Sequence, residues 1–147
     1  MKKIYVTMPF LPPLNEYTEY LNAIWETKQC TNNGPLHRAF ERELAAYLGV
    51  NFISLFNNAT NALIIAIKVM DLQGDIITTP YSFVATTHAI KWNKINPIFI
   101  DIKKNNCNLN PNLIEKAITD STSAILPVHI YGNPCEIDKI ENIAQKN

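Results

Sequence analysis

Glycine is scarce in this chain of 147 residues, with only four in all. Nucleotide-binding loops written in glycine are therefore poorly served, and neither G-x-G-x-x-G nor a Walker lysine motif occurs. Cysteine is sparse and odd in number. Cys30, Cys107 and Cys135 stand far apart, in neither a disulfide framework nor a C-x-x-C metal pattern, so they read as reduced thiols and no metal site is expected. No sign of charge dominates: 13 basic residues face 13 acidic ones, with no basic block. That balance leaves no electrostatic footprint for nucleic acid or an anionic membrane. Every apolar run is far too short for a bilayer, and the opening Met1-Lys2-Lys3-Ile4-Tyr5-Val6-Thr7 has no apolar leader core. The expectation is a cytoplasmic protein with neither nucleic acid nor membrane as partner.

What is present is the composition of a buried core, 47% hydrophobic and 10% aromatic with only 18% charged residues. The length bounds one domain or a large piece of one. Pro9, Pro12 and Pro13 make the N-terminal stretch extended. Helical spacing then runs over residues 15–28 and, after the turn Thr31-Asn32-Asn33-Gly34-Pro35, over residues 36–48, where Gly49 is a natural stop. Apolar runs at 52–56, 75–79, 96–101 and 123–128 read as four strands. They alternate with helices at 58–70, 82–92, 111–118 and from Pro134 onward.

Nearly all-apolar strands alternating with helices predict a parallel sheet covered on both faces. Such sheets bind ligands beyond the carboxyl ends of their strands. Those ends carry Asn57-Asn58-Ala59-Thr60, Thr79-Pro80-Tyr81-Ser82-Phe83, Asp101 and His129-Ile130-Tyr131-Gly132-Asn133. At the first of them a strand opens directly onto a helix through small and hydroxylated residues. Unpaired N–H groups at the positive end of a helix dipole suit a phosphate; the same residues also suit a simple helix cap by Asn58 or Thr60. Asp101 reads as a strand terminator that bonds nearby backbone.

Six segments in this order, Asn32-Asn33-Gly34-Pro35, Tyr47-Leu48-Gly49-Val50, Asn57-Asn58-Ala59-Thr60-Asn61-Ala62-Leu63, Pro80-Tyr81-Ser82-Phe83-Val84-Ala85-Thr86, Pro97-Ile98-Phe99-Ile100-Asp101-Ile102 and Pro127-Val128-His129-Ile130-Tyr131-Gly132, resemble the N-terminal part of the DegT/DnrJ/EryC1/StrS sugar-nucleotide aminotransferases. The resemblance covers the chain from about Pro9 to its end. It implies an α/β fold: the N-terminal part of the large domain of a pyridoxal-phosphate-dependent enzyme of the aspartate-aminotransferase type (fold type I), an α/β/α sandwich with a mostly parallel sheet. Residues 1–34 would form an N-terminal segment with one helix and a dimer-facing loop, and residues 35–147 a partial cofactor-binding large domain. Pro9-Phe10-Leu11-Pro12-Pro13-Leu14, Ile24-Trp25-Glu26 and the stretch from Thr78 to Thr86 are most similar to the branch that aminates dTDP-4-dehydro-6-deoxyglucose at C4, for surface polysaccharides.

Carried over residue by residue, the resemblance implies that Asn58, Ala59 and Thr60 hold the phosphate of pyridoxal 5'-phosphate, and that Phe83 lies against its ring. Asn33, His129 and Tyr131 would face the nucleotide-sugar substrate, Asn33 across a homodimer interface; for His129 a plain backbone hydrogen bond is an equal reading, and for Phe83 a place in the core is the other. Glutamate would be the amino donor. Transamination also needs a lysine that carries the cofactor as a Schiff base and a carboxylate on its ring nitrogen. The resemblance puts both beyond residue 147, together with the C-terminal domain, so no catalytic residue is expected here and the chain reads as truncated. Lys68, Lys91 and Lys94 read as solvated surface charges. The alternatives are a non-catalytic domain binding at most phosphate or a sugar nucleotide, a C3-specific relative, and an unrelated doubly wound nucleotide-binding module.

Overall fold

The computed structural model describes Lys3, Tyr5 and residues 7–147. Met1, Lys2, Ile4 and Val6, part of the stretch read as lacking a leader core, lie outside the described residues. The chain divides into two compact units, Met1–Leu55 and Phe56–Asn147.

Among the described residues the first unit holds two helices, α1 (Leu14–Thr27) and α2 (Pro35–Leu48). α1 ends at Lys28, whose left-handed backbone lets its N–H reach Ile24 O at 2.8 Å. α2 starts from Gly34 with Pro35 in its first turn, where a missing N–H costs nothing. It stops at Gly49, φ 67°, and the N–H of Val50 closes onto Ala45 O at 3.1 Å. Neither helix contains a buried residue, and Trp25 is 75% exposed.

The second unit is a layered α/β structure. Its elements are α3 (Ala59–Val69), β1 (Asp75–Thr78), α4 (Ala85–Trp92), β2 (Asn96–Phe99), a 3-10 turn (Pro111–Leu113) leading into the short α5 (Ile114–Ala117), β3 (Thr122–Ile125), a second 3-10 turn (Ile130–Gly132) and α6 (Ile137–Lys146). The three strands are all parallel in the order β2-β1-β3, with Ile77 opposite Ile98 on one side and Ile125 on the other. Successive strand side chains point to opposite faces, and β1 uses this to build both halves of the core. Ile76 packs with Ile67, Ala89, Ile90 and Ile95 on the α3–α4 side. Ile77 packs with Ile100, Leu109, Ile114, Cys135 and Ile140 on the α5–α6 side. Burying one isoleucine contributes roughly 1.5–3 kcal/mol, so β1, buried on both faces, is the centre of the unit. The expected α/β/α sandwich with a parallel sheet is what is found.

The strand expected at 52–56 is not formed. A strand exists only through a hydrogen-bonded neighbour, and among the described residues nothing pairs with this stretch; Phe52 is 92% exposed. Other differences are at boundaries. The helix expected from Ser82 starts at Ala85, because Pro80-Tyr81-Ser82 turn out of β1 first, and the helix expected from Pro134 starts at Ile137. The helix expected over 111–118 is a 3-10 turn followed by a single α-turn. Among the described residues no helix is long and apolar enough to cross a membrane.

Candidate functional site

Because β1 and β3 are neighbours in the sheet, the segments that leave their carboxyl ends come together. Pro80, Tyr81, Ser82 and Phe83 face Val128, His129, Ile130 and Tyr131 across an open cleft of about 380 Å³, a size suited to a small ligand. Phe83 is 79% exposed and belongs to neither core cluster of the chain. Thr79 is fully buried, and its hydroxyl accepts from the N–H of Tyr81 at 3.1 Å; this turns the chain sharply at the end of β1. The adjacent Thr78 hydroxyl donates to Leu126 O at 2.8 Å and locks the two strand ends to each other.

Two features of this cleft escape a reading of the sequence. The hydroxyls of Tyr81 and Tyr131 lie 2.9 Å apart, with the rings edge to face at 6.5 Å and 77°. The Tyr131 hydroxyl beside it pushes Tyr81 up to about 12, because ionising Tyr81 would spend the shared proton and set two phenolic oxygens against each other. The second feature is Asn108, almost wholly buried, whose side chain bonds the backbone at Ile130, Asn133 and Pro134. Fifty residues separate the two tyrosines, and no local pattern announces such pairs.

His129 is exposed, and its Nδ1 accepts from the N–H of Cys135 at 3.0 Å. The backbone hydrogen bond and the place in the cleft wall thus coexist. Burial pushes the Cys135 thiol up, and the thiol donates to Val128 O at 3.1 Å. Asp101 lies outside the cleft; its carboxylate accepts from the N–H of Ile102 at 2.8 Å, as a strand terminator does. Lys68, Lys91 and Lys94 are all exposed.

Asn58, Ala59 and Thr60 stand at the start of α3 and are not among the residues lining the cleft. Asn58 is extended (φ −162°, ψ 161°) and its side-chain oxygen accepts from the N–H of Asn61 at 2.8 Å. The capping reading of Asn58 is therefore correct. It leaves the N–H groups of Ala59 and Thr60 and the Thr60 hydroxyl without a partner among the described residues. Asn33 belongs to the first unit, in the turn before α2, with φ 59°.

A model of the DegT/DnrJ/EryC1/StrS aminotransferase family matches residues 14–147. The chain belongs to this family. It is 54% identical over 143 residues to the dTDP-4-amino-4,6-dideoxy-D-glucose transaminase of Escherichia coli, an alignment that takes in 97% of this chain and 38% of that enzyme. Among solved structures, DesI with its TDP-sugar product superimposes with a TM-score of 0.86 at 33% identity, over 91% of this chain and 34% of DesI. NtdA of Bacillus subtilis with bound cofactor PMP gives 0.82 at 32% identity, over 98% and 35%. The chain thus spans about two fifths of the E. coli relative it matches.

As a member of the DegT/DnrJ/EryC1/StrS family the chain can be tested for fit to a phosphate-bearing cofactor. The start of α3 offers two uncommitted backbone N–H groups and a free hydroxyl. No acidic side chain occurs between Phe56 and Leu63 to oppose an anion. Ala59 adds only a methyl group over those donors. The donor set suits a phosphate, and the exposed aromatic face of Phe83 suits a flat, electron-poor ring.

Proposed function

We propose that this chain is the N-terminal part of a pyridoxal-phosphate-dependent aminotransferase that aminates a nucleotide-linked 4-keto-6-deoxy sugar, turning dTDP-4-dehydro-6-deoxyglucose into dTDP-4-amino-4,6-dideoxyglucose with glutamate as donor. The observation that carries this reading is the 54% identity to the E. coli transaminase over 97% of the chain. The cleft at the ends of β1 and β3 and the open donors on α3 are consistent with it.

Pyridoxal phosphate, when bound, supplies the carbonyl that exchanges for an amino group and a ring that takes up an electron pair. The residues of this chain bind and orient it. The N–H groups of Ala59 and Thr60, with the Thr60 hydroxyl, hold its phosphate, while Asn58 fixes the first turn of α3 so that these donors point outward. Phe83 would lie against its ring. His129 and Tyr131 face the sugar, and Asn33 completes the site from the partner subunit of a homodimer. In this reading residues 1–34 are the dimer-facing segment and residues 35–147 the partial cofactor-binding domain; the groups that move protons are supplied from outside it.

The test uses the full-length protein with pyridoxal phosphate, glutamate and dTDP-4-dehydro-6-deoxyglucose, with the product identified by nuclear magnetic resonance. An amino group at C4 is expected. Amination at C3 of a 3-keto isomer alone would assign the protein to the C3-specific relatives. Absence of any glutamate-dependent product, with cofactor bound, would leave only a binding domain.

A further inference from the structure

The backbone of the loop that carries His129 and Tyr131 is held by the side chain of Asn108. Asn108, 2% exposed, donates from its amide nitrogen to Asn133 O at 3.1 Å and to Pro134 O at 3.0 Å, and its oxygen accepts from the N–H of Ile130 at 2.9 Å. These three bonds bracket Tyr131, whose backbone at φ 53° sits in the left-handed region that a residue with a Cβ disfavours. Within the loop the N–H of Cys135 donates to His129 Nδ1 at 3.0 Å, and the Cys135 thiol donates to Val128 O at 3.1 Å. An imidazole nitrogen that accepts an N–H carries no proton of its own, so neutral His129 holds its proton on Nε2.

We propose that Asn108 is a positioning residue: by fixing the backbone at Ile130, Asn133 and Pro134 it keeps the Cys135 N–H on His129 Nδ1 and so presents His129 to the cleft as an Nε2–H donor for an oxygen of the sugar nucleotide. The proposal rests on the reading of the cleft as the substrate site. Only a carboxamide meets the requirement here. Aspartate keeps the acceptor for Ile130 but loses both donors, and an aliphatic residue offers neither. The pin also explains why a loop with a strained tyrosine stands at the cleft wall with its hydroxyl on Tyr81 rather than relaxing away.

The experiment is imidazole nitrogen NMR on the full-length protein labelled with ¹⁵N-histidine, at mildly alkaline pH, with the His129 signals identified by their loss in His129→Gln. The unsubstituted protein should show an unprotonated Nδ1 and a protonated Nε2. Asn108→Ala should average the two tautomers and release the ring from its position, weakening dTDP-glucose binding about tenfold, the equivalent of one good hydrogen bond. Asn108→Asp should fall between. A protonated Nδ1 in the unsubstituted protein overturns the proposal, as does an unchanged His129 signature in Asn108→Asp or Asn108→Ala. Should Asn108→Ala not fold, the unsubstituted protein and Asn108→Asp decide. If dTDP-glucose binds none of the proteins while the tautomer shifts as expected, the substrate reading fails and the positioning role stands.

Discussion

Gly74 and Gly132 share a backbone angle of φ +79° but not an environment, and replacing each with alanine separates backbone strain from steric clash. A left-handed residue with a Cβ costs about 1–2 kcal/mol, and at Gly132, where an added Cβ meets nothing within 4 Å, that is the whole expected effect. At Gly74 the added Cβ would lie 2.2 Å from Ser121 O. That oxygen cannot simply retreat, because it accepts the N–H of Asp75 at 2.8 Å and so seats the start of β1. Gly74 O in turn accepts from the N–H of Asn96 at 3.2 Å, at the start of β2. Displacing the segment disturbs both sides of the central strand, and overpacking of this kind costs about 1–3 kcal/mol. Gly74→Ala should therefore lose about 2–5 kcal/mol, adding the strain to the clash, against about 1–2 for Gly132→Ala. Urea unfolding followed by circular dichroism measures both. Equal losses in the two variants would refute the reasoning, since the crowding at Ser121 would then count for nothing.

Three further outcomes follow from the site and its charges. Thr60→Val should weaken phosphate or pyridoxal-phosphate binding by about 1 kcal/mol or somewhat more, the loss of one charge-assisted hydrogen bond. Ala59→Leu should weaken it further by covering all the donors together; titration calorimetry giving equal affinities for both variants and the wild type would make the turn a helix cap and nothing more. In an ultraviolet pH titration, Tyr131→Phe should bring Tyr81 down from about 12 toward the ordinary tyrosine value near 10, since the Tyr131 hydroxyl is the largest cause of its shift. Asp75 is held low by hydrogen bonds from Ser121 and Asn96, and Glu136 by Lys103 and then Lys139. A depressed carboxylate stabilises the fold above its unfolded value, here 3.8 for Asp75 and 4.5 for Glu136, and that contribution fades as pH falls through the folded value. Glu136→Gln should therefore lose stability at neutral pH but flatten the acid limb of stability against pH, and a variant that keeps the wild-type acid slope would contradict the assignment.

The helices were legible because their signal is local. The apolar spacing over 36–48 and the glycine that follows sit within one stretch of chain, and α2 runs Pro35–Leu48 as that spacing predicts. The stretch 52–56 has the same local quality as the true strands, yet no strand forms there, because membership of a sheet is granted by a neighbour and not by composition. The short α5 failed in the opposite way: Pro111 opens a helical turn, but with Ile118 already extended the chain closes only one α-turn.

The site divides along the same line. That the candidate cleft lies at strand ends follows from a parallel sheet, and the placement of Phe83, His129 and Tyr131 there was readable on that ground. Which ends meet depends on strand order. With β1 in the centre, the segments after β1 and β3 leave adjacent positions, so Tyr81 reaches Tyr131 and Phe83 shares a cleft with His129. β2 flanks β1 on the other side, which is why Asp101, equally polar and equally at a strand end, stays outside the cleft. In the order β1-β2-β3 the segment containing Asp101 would stand between the two tyrosines, and their hydrogen bond could not form. Asn108 acts between these cases. It follows β2 in the chain, yet its side chain bonds the backbone of the loop after β3, so a segment outside the cleft holds the backbone of the cleft wall.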